Sequence, residues 1–283
     1  MNIEDRVNFY LGELLYNQEN IEMGKLCFID DYKPSHKVQM EYYVLSLKKK
    51  IQNTNHSKKK ISILFNDTFT SCLKYQFVKV RMDNKGVILK CLNFSRHWDW
   101  FYNKPKDINW NDKLNKIIWR GTTTGGNKKD RFIFIEKWYN KHQNIDVGFS
   151  YICQGREDQS KYVKGKLTPS EMLKYKYIVS IEGNDKDSGI NWKLNSNSLV
   201  FMKKPVCCSW LMETLLIPNF HYILLNDDYS DLEEKLEWCE NNQDKCLEIV
   251  KNANKFMEQF KDQKQEELIE DMVINKYFQL TNQ

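Results

Sequence analysis

The stretch Ile117 to Arg131, IIWRGTTTGGNKKDR, constrains this chain more than any other. A short apolar run ends in Trp119. Arg120, Gly121, three threonines and the pair Gly125-Gly126 follow, and a basic segment then leads into the apolar FIFIEKWY. That order predicts strand, polar loop and helix, with the helix starting near Asp130. Such a loop suits an anion. Glycines let the backbone turn its N–H groups toward a ligand, Thr122, Thr123 and Thr124 add hydroxyl donors, and the helix offers its positive end. Of 43 basic residues only six are arginines, and Arg120 and Arg131 bracket this loop, where a planar two-pronged donor suits a diphosphate better than lysine does. The plainer alternative is a polar connection with Arg120 on a surface carboxylate. Gly121 to Gly126 has the spacing of a P-loop, but Asn127 and Lys128 stand where Lys and Ser or Thr are required, which argues against a Walker-type ATPase or kinase.

A chain of 283 residues with 41% hydrophobic and 13% aromatic residues can bury one large core or two modest ones flanking a cleft. Its net charge of +5 comes from acidic and basic residues mixed throughout, which fits an anionic ligand better than a dedicated nucleic-acid surface. No apolar run reaches membrane-span length and the first twenty residues are charged and helical in pattern, so a cytoplasmic protein without a signal peptide is expected. Of the eight cysteines only Cys207 and Cys208 are adjacent, and no CxxC pair exists, so neither a disulfide framework nor structural zinc is expected.

Along the chain, the N-terminal residues and VQMEYYVLSLKKKIQ read as helices, and KISILFNDTF is the first strong strand. A carboxylate at the carboxyl end of a strand in an α/β sheet points into the ligand crevice, which makes Asp67 a candidate general base, although a turn or N-cap aspartate is the plainer reading of that residue alone. FVKVRMDNKGVILKCLNF reads as two short strands joined by a turn at Asp83 to Gly86. In SRHWDWFYNKP, Arg96 and Trp98 are candidates for contact with an acceptor sugar, against the plainer reading of aromatic packing. IDVGFSYIC, YIVSIEG, SLVFM and HYILL read as further strands, PSEMLKYKY as a short helix capped near Thr168, and the chain from Ser230 onward as helical. Alternation of strands and helices from Lys60 to about Asn254 predicts an α/β fold with mostly parallel sheets.

WRGTTTG with Arg131 behind it, KYKYIVSIEG, SGINWKLNSNSLVF and HYILLNDDYSDL occur together and in this order. In this the chain resembles glycosyltransferase family 90, the Rumi-like protein O-glucosyl- and O-xylosyltransferases and capsule-synthesis proteins, a family with members in large DNA viruses. It looks like a short, viral-type member. The resemblance implies a GT-B fold, with two Rossmann-like domains facing across a cleft. We expect an acceptor domain over 1–108, a nucleotide-sugar domain over 109–255, and a C-terminal helix over 256–283 packing back toward the first.

The resemblance also implies an inverting, metal-independent transfer of xylose or glucose from a UDP-sugar to a glycan or glycoprotein, with no further cofactor and a monomeric enzyme. It assigns the base to Asp67, a diphosphate arginine to Arg131, and a second phosphate cation to Lys193, where the family has arginine. The nucleotide sugar is expected on Trp119, Arg120, Gly121, Thr122 and Thr123, and on Gly183, Ser188, Gly189, Ile190 and Asn191. An exposed lysine is the plainer reading of Lys193. Two rival functions remain open: a metal-dependent GT-A transferase using Asp185-Lys186-Asp187 as an Asp-x-Asp motif, and an inactive glycan- or protein-binding member.

Overall fold

The computed structural model describes residues 1–16, 24–33, 43–52, 54–65, 75–82, 84–90, 98–103, 107–126 and 129–281. They divide into two compact units, one made of Met1–Arg96, Val206–Glu213 and Gln259–Gln283, the other of His97–Pro205 and Thr214–Glu258. The candidate acceptor residue Arg96 and the candidate base Asp67 lie outside the described residues.

In the first unit the described elements are helix α1 (Ile3–Leu11), strand β1 (Cys27–Phe28), helix α2 (Leu45–Gln52), and strands β2 (Lys60–Ile61), β3 (Ile63–Leu64), β4 (Phe77–Val78), β5 (Val80–Arg81) and β6 (Val87–Ile88). Strands β3, β4 and β6 form a parallel sheet, with Ile63 opposite Phe77 and Phe77 opposite Val87. The strands on either side of the turn expected at Asp83 to Gly86, of which Asp83 lies outside the described residues, are thus paired in the parallel sense. The physical reason is β5, which leaves the sheet to pair antiparallel with Cys208–Ser209. Its Arg81 guanidinium donates to the carbonyls of Phe9, Tyr10 and Gly86, so the chain loops round and re-enters in the parallel sense. The C-terminal helix Gln263–Leu280 belongs to this unit. Its fully buried Glu266 pairs with Arg6 of α1 and accepts from the Trp210 indole, whose ring stacks on Tyr10 at 3.9 Å.

The second unit is built on strand β7 (Leu114–Gly121), helix α4 (Asp130–Trp138), β8 (Ile145–Phe149), α5 (Pro169–Met172), β9 (Tyr175–Val179), α6 (Ile190–Leu194), β10 (Leu199–Met202), β12 (Ile223–Leu224), α7 (Leu232–Asn241) and α8 (Gln243–Met257); the short helix α3 (Asp99–Tyr102) precedes them and β11 (Cys208–Ser209) is the first unit's partner of β5. A Thr168–Glu171 capping box starts α5, as its sequence predicts. Five parallel strands run in the order β12-β10-β9-β7-β8. Alternate residues face opposite layers. Ile117, Trp119, Tyr177 and Phe201 join Phe134, Ile135 and Leu236 in one core, while Ile118 and Ile178 meet Met172 and Trp192 in another. Buried on both faces, β10 (LVFM) and the middle of β7 (IIW) are continuous apolar runs, as the interior of a parallel sheet favours.

Candidate active site

From β7 the chain moves to β8 on one side, then crosses back to β9 on the other side of β7 and continues outward to β10 and β12. The reversal falls between β7 and β9. In open α/β sheets the crevice opens outside the carboxyl ends of such a strand pair, and here those ends lead into the loop residues 122–126 and 180–189.

Arg131, in the first turn of α4, ties the two loops together. Nε donates to the Glu182 carbonyl at 3.1 Å and Nη2 to the Ile181 carbonyl at 3.1 Å, while Nη1 reaches the Thr122 carbonyl at 3.0 Å and Thr124 Oγ1 at 2.7 Å. All four acceptors are neutral oxygens. Burial pushes the guanidinium below its ordinary pKa, an effect partly offset by the Asp187 carboxylate, but an arginine stays charged at any physiological pH. The packing around it demands glycine. A Cβ at Gly183 would stand 3.0 Å from both Arg131 Nη2 and Thr124 Oγ1, and one at Gly125, whose φ is +82°, would stand 2.8 Å from the Gly183 carbonyl oxygen. The Gly125 N–H donates to Asn184 Oδ1 at 2.9 Å, a second tie between the loops.

The 180–189 loop has its own charged pin. Asp187 accepts from Ser180 Oγ at 2.6 Å, from Lys193 Nζ at 2.5 Å and from the Gly189 N–H at 2.9 Å. Burial alone would raise its pKa, but the Lys193 ammonium and these hydrogen bonds hold it at about 2. Lys193 Nζ completes its shell on the Val179 carbonyl at 3.1 Å. Lys193 is therefore buried and paired, neither the exposed lysine of the plainer reading nor an open phosphate ligand. It acts on the loop through Asp187. The same pair gives Asp187 of the Asp-x-Asp triplet a structural role, since three donors already use its carboxylate. Among the described residues, no group of three or more His, Cys, Asp or Glu side chains gathers as a metal site.

Other expected ligands also have structural work. Trp119 is 1% exposed in the sheet core. Arg120 Nη2 grips both carboxylate oxygens of Asp146 at 2.9 and 3.0 Å, so the surface-carboxylate alternative holds for this arginine. Thr123 Oγ1 donates to the Cys153 carbonyl and accepts its N–H, closing the loop onto the segment behind β8. Gly121 lies against the Trp119 ring, and its carbonyl accepts from Ser150. Trp98 is buried and packs on Phe101 and Tyr102, so packing rather than sugar stacking explains it. Ile190 is buried in α6, as is Asn191, whose Oδ1 accepts from Lys186 Nζ at 3.3 Å and whose Nδ2 is buried without a hydrogen-bond partner. Thr122 and Thr124 accept from Arg131 and Gly183 packs against it, while Ser188 and Gly189 lie in the 180–189 loop that Asp187 pins. The sequence offered Asp187 only as half of an Asp-x-Asp motif, and its pairing with Lys193 went unread. The Asp-Ser-Gly run directly before a helix is the local signal that could have revealed it.

Residues 94–283 match the sequence profile described as glycosyl transferase family 90. Over 283 residues, 98% of this chain and 83% of the other, the protein is 31% identical to the O-glucosyltransferase LpsA of Dichelobacter nodosus. It belongs to glycosyltransferase family 90. The family likeness extends to an uncharacterised protein, 179R, of Invertebrate iridescent virus 6, which is 35% identical over 155 residues covering 53% of this chain and 12% of that one. Protein O-glucosyltransferase 2 of Danio rerio is 25% identical over 151 residues, covering 52% of this chain and 29% of that one. Both of these relatives are thus matched over a minor part of their length. The protein is a family 90 glycosyltransferase, and no helix among its described residues is long and apolar enough to cross a membrane.

Proposed function

We propose that the enzyme moves glucose, or in second place xylose, from a UDP-sugar to a hydroxyl of a glycan or glycoprotein acceptor, with inversion and without a metal. The names of the bacterial and animal relatives favour glucose. The observation that carries the donor assignment is Arg131. Among the described residues, this guanidinium buried at the sheet's switch point has only neutral oxygens as hydrogen-bond acceptors; Asp187 offsets its charge in part but is itself bonded to Lys193, so positive charge remains for an incoming anion.

In the proposed step, Asp67 accepts the proton of the acceptor hydroxyl as that oxygen bonds to the anomeric carbon. The bond from that carbon to the β-phosphate oxygen breaks on the opposite side, and UDP leaves. Arg131, with the Thr122, Thr124 and Ser188 hydroxyls, balances the charge growing on the leaving diphosphate. Lys193 contributes at one remove, by holding Asp187 and so the shape of the 180–189 loop. The proposal includes the GT-B arrangement, in which acceptor and donor are held by different domains. Asp67 enters it through the family resemblance.

Incubation with UDP-glucose and UDP-xylose in the presence of EDTA tests this reading. The expected result is slow donor hydrolysis without acceptor, abolished in Asp67→Asn while UDP still raises the melting temperature. A protein whose hydrolysis vanishes with EDTA, or whose Asp67→Asn variant is fully active, would sink the mechanism.

A further inference from the structure

We propose that the protein carries a second carbohydrate site, which holds one or two neutral pyranose units of a glycan chain at the opposite end of the parallel sheet from Arg131. The site is a cavity of about 400 Å³ between the amino end of the edge strand β12 and the outer faces of α7 and α8. That volume lies at the small end of the range for small-molecule sites, the right scale for a mono- or disaccharide. The loop residues 122–126 and 180–189 follow the carboxyl ends of β7 and β9, whereas Asn219 and Phe220 precede β12 in a sheet whose strands all run the same way. The cavity is therefore remote from the donor loops.

The lining selects the ligand class. Phe220 and Trp238 are 45% and 37% exposed, large apolar rings standing open at a concave surface, with Ile223 and Ile249 buried behind them. Carboxylates from Glu234 and Glu248 and amides from Asn219 and Asn252 share the same cavity. A wholly apolar ligand would strip water from those polar groups and return no hydrogen bonds. An anion would meet Glu234 and Glu248, and a cation would meet Lys235 and Lys245; the two charges of each sign cancel and favour a neutral guest. A pyranose satisfies every demand. It offers a patch of C–H groups to an aromatic face and a rim of hydroxyls that both donate and accept. Lys245 Nζ lies 5.8 Å from the centre of the Trp238 ring, a displaceable ammonium on a flexible stem.

A glycosyltransferase that grips a distant part of its acceptor chain raises the effective concentration of the reacting end without tightening the active site. The inference rests on the family's glycosyl-transfer activity and not on the identity of the donor.

The test is NMR of the full chain with ¹⁵N-labelled tryptophan, titrated with maltohexaose and with xylohexaose. The Trp238 indole signal is assigned by its loss in Trp238→Ala. At millimolar sugar, the strength expected of one stacked ring and a few hydrogen bonds, that signal should shift saturably with at least one of the two, whether or not UDP is present. Phe220→Ala should weaken binding about tenfold or more, while its UDP affinity stays at the wild-type value. A Trp238 signal that neither oligosaccharide moves overturns the proposal, as does a shift that UDP abolishes. A shift produced by raising protein concentration alone overturns it too and points to self-association. Loss of UDP binding with the Trp238 response intact would instead count against the donor reading, so the two failures are separable.

Discussion

Arg120 and Arg131 bracket one loop, and their surroundings could hardly differ more. Arg120 lies flat against the carboxylate of Asp146, which also holds Lys164 at 3.0 Å, so its charge is neutralised within the sheet's own side chains. Arg131 spends its hydrogen bonds on carbonyls and a threonine hydroxyl, which position the guanidinium and leave its charge intact. Lys193 is a third case, as deeply buried as Arg131 but supplied with its own aspartate. The lesson is that proximity to a phosphate-type loop does not make a cation a ligand. What distinguishes a ligand is a fixed position with no carboxylate bonded to it among the described residues, an arrangement that an arriving anion stabilises.

The largest effect should come from uncoupling the paired lysine. Asp187→Asn leaves the Lys193 ammonium buried without its carboxylate and should cost about 3–5 kcal/mol of stability, measured by chemical denaturation. Replacing both partners, as in Asp187→Asn with Lys193→Met, should recover most of the loss, because no charge is then left buried without its partner. The pH dependence has a definite sign. The folded-state pKa of Asp187, about 2, lies below the ordinary carboxylate value, so its contribution of about 2 kcal/mol is complete above pH ~4 and disappears as pH falls through ~2. The single variant should lack this acid-sensitive component. If its stability still fell as steeply between pH ~4 and ~2, the pairing would not be the source.

Next comes the arginine held by carbonyls. Arg131→Lys keeps one charge and loses the fork that reaches both loops, so kcat/KM should fall on the order of 100-fold, equivalent to about 2.7 kcal/mol of transition-state stabilisation. The melting temperature of the free variant, with and without UDP, distinguishes this from simple unfolding. We expect the UDP-induced rise to shrink much more than the baseline.

Much of this was legible in the sequence, and the limits are physical. The strand, loop and helix around Trp119 to Arg131 could be read because each is specified locally: an apolar run, glycines with threonines, then helical periodicity. The parallel sheet followed from alternation of element types. Where the side chains point did not follow. Arg120 and Trp119 are adjacent on one strand and must face opposite ways, yet only the register of β8 brings Asp146 to Arg120. Thr123 meets Cys153 across thirty residues, and no local pattern announces that. The parallel pairing of β4 with β6 was hidden for the same reason, since β5 between them takes its partner from residues 208–209.

A smaller effect is expected where the two loops touch. Gly125→Ala puts a side chain at φ +82° and 2.8 Å from the Gly183 carbonyl oxygen, so the backbone must shift. About 1–2 kcal/mol of stability should be lost, with a parallel loss of UDP affinity, because the same movement spreads the oxygens that hold Arg131. An alanine variant with wild-type UDP affinity would mean that the loops need not stay in contact for the arginine to work.

The smallest effect completes the comparison. In Arg120→Met the carboxylate of Asp146 keeps its Lys164 partner and is 31% exposed at its side chain, so solvent and the lysine absorb most of the lost charge. Burial by itself would raise the Asp146 pKa, and it is the hydrogen bonds from Lys164 and Arg120 that bring it below the ordinary value, so one of two supports survives. A cost of about 1 kcal/mol or less is expected by denaturation, the range of partly exposed ion pairs, with kcat/KM within about threefold of wild type. Should Arg120→Met instead match Arg131→Lys in lost turnover at unchanged stability, Arg120 must leave Asp146 when donor binds, and the rule that a committed cation is no ligand would fail on the very loop that suggested it.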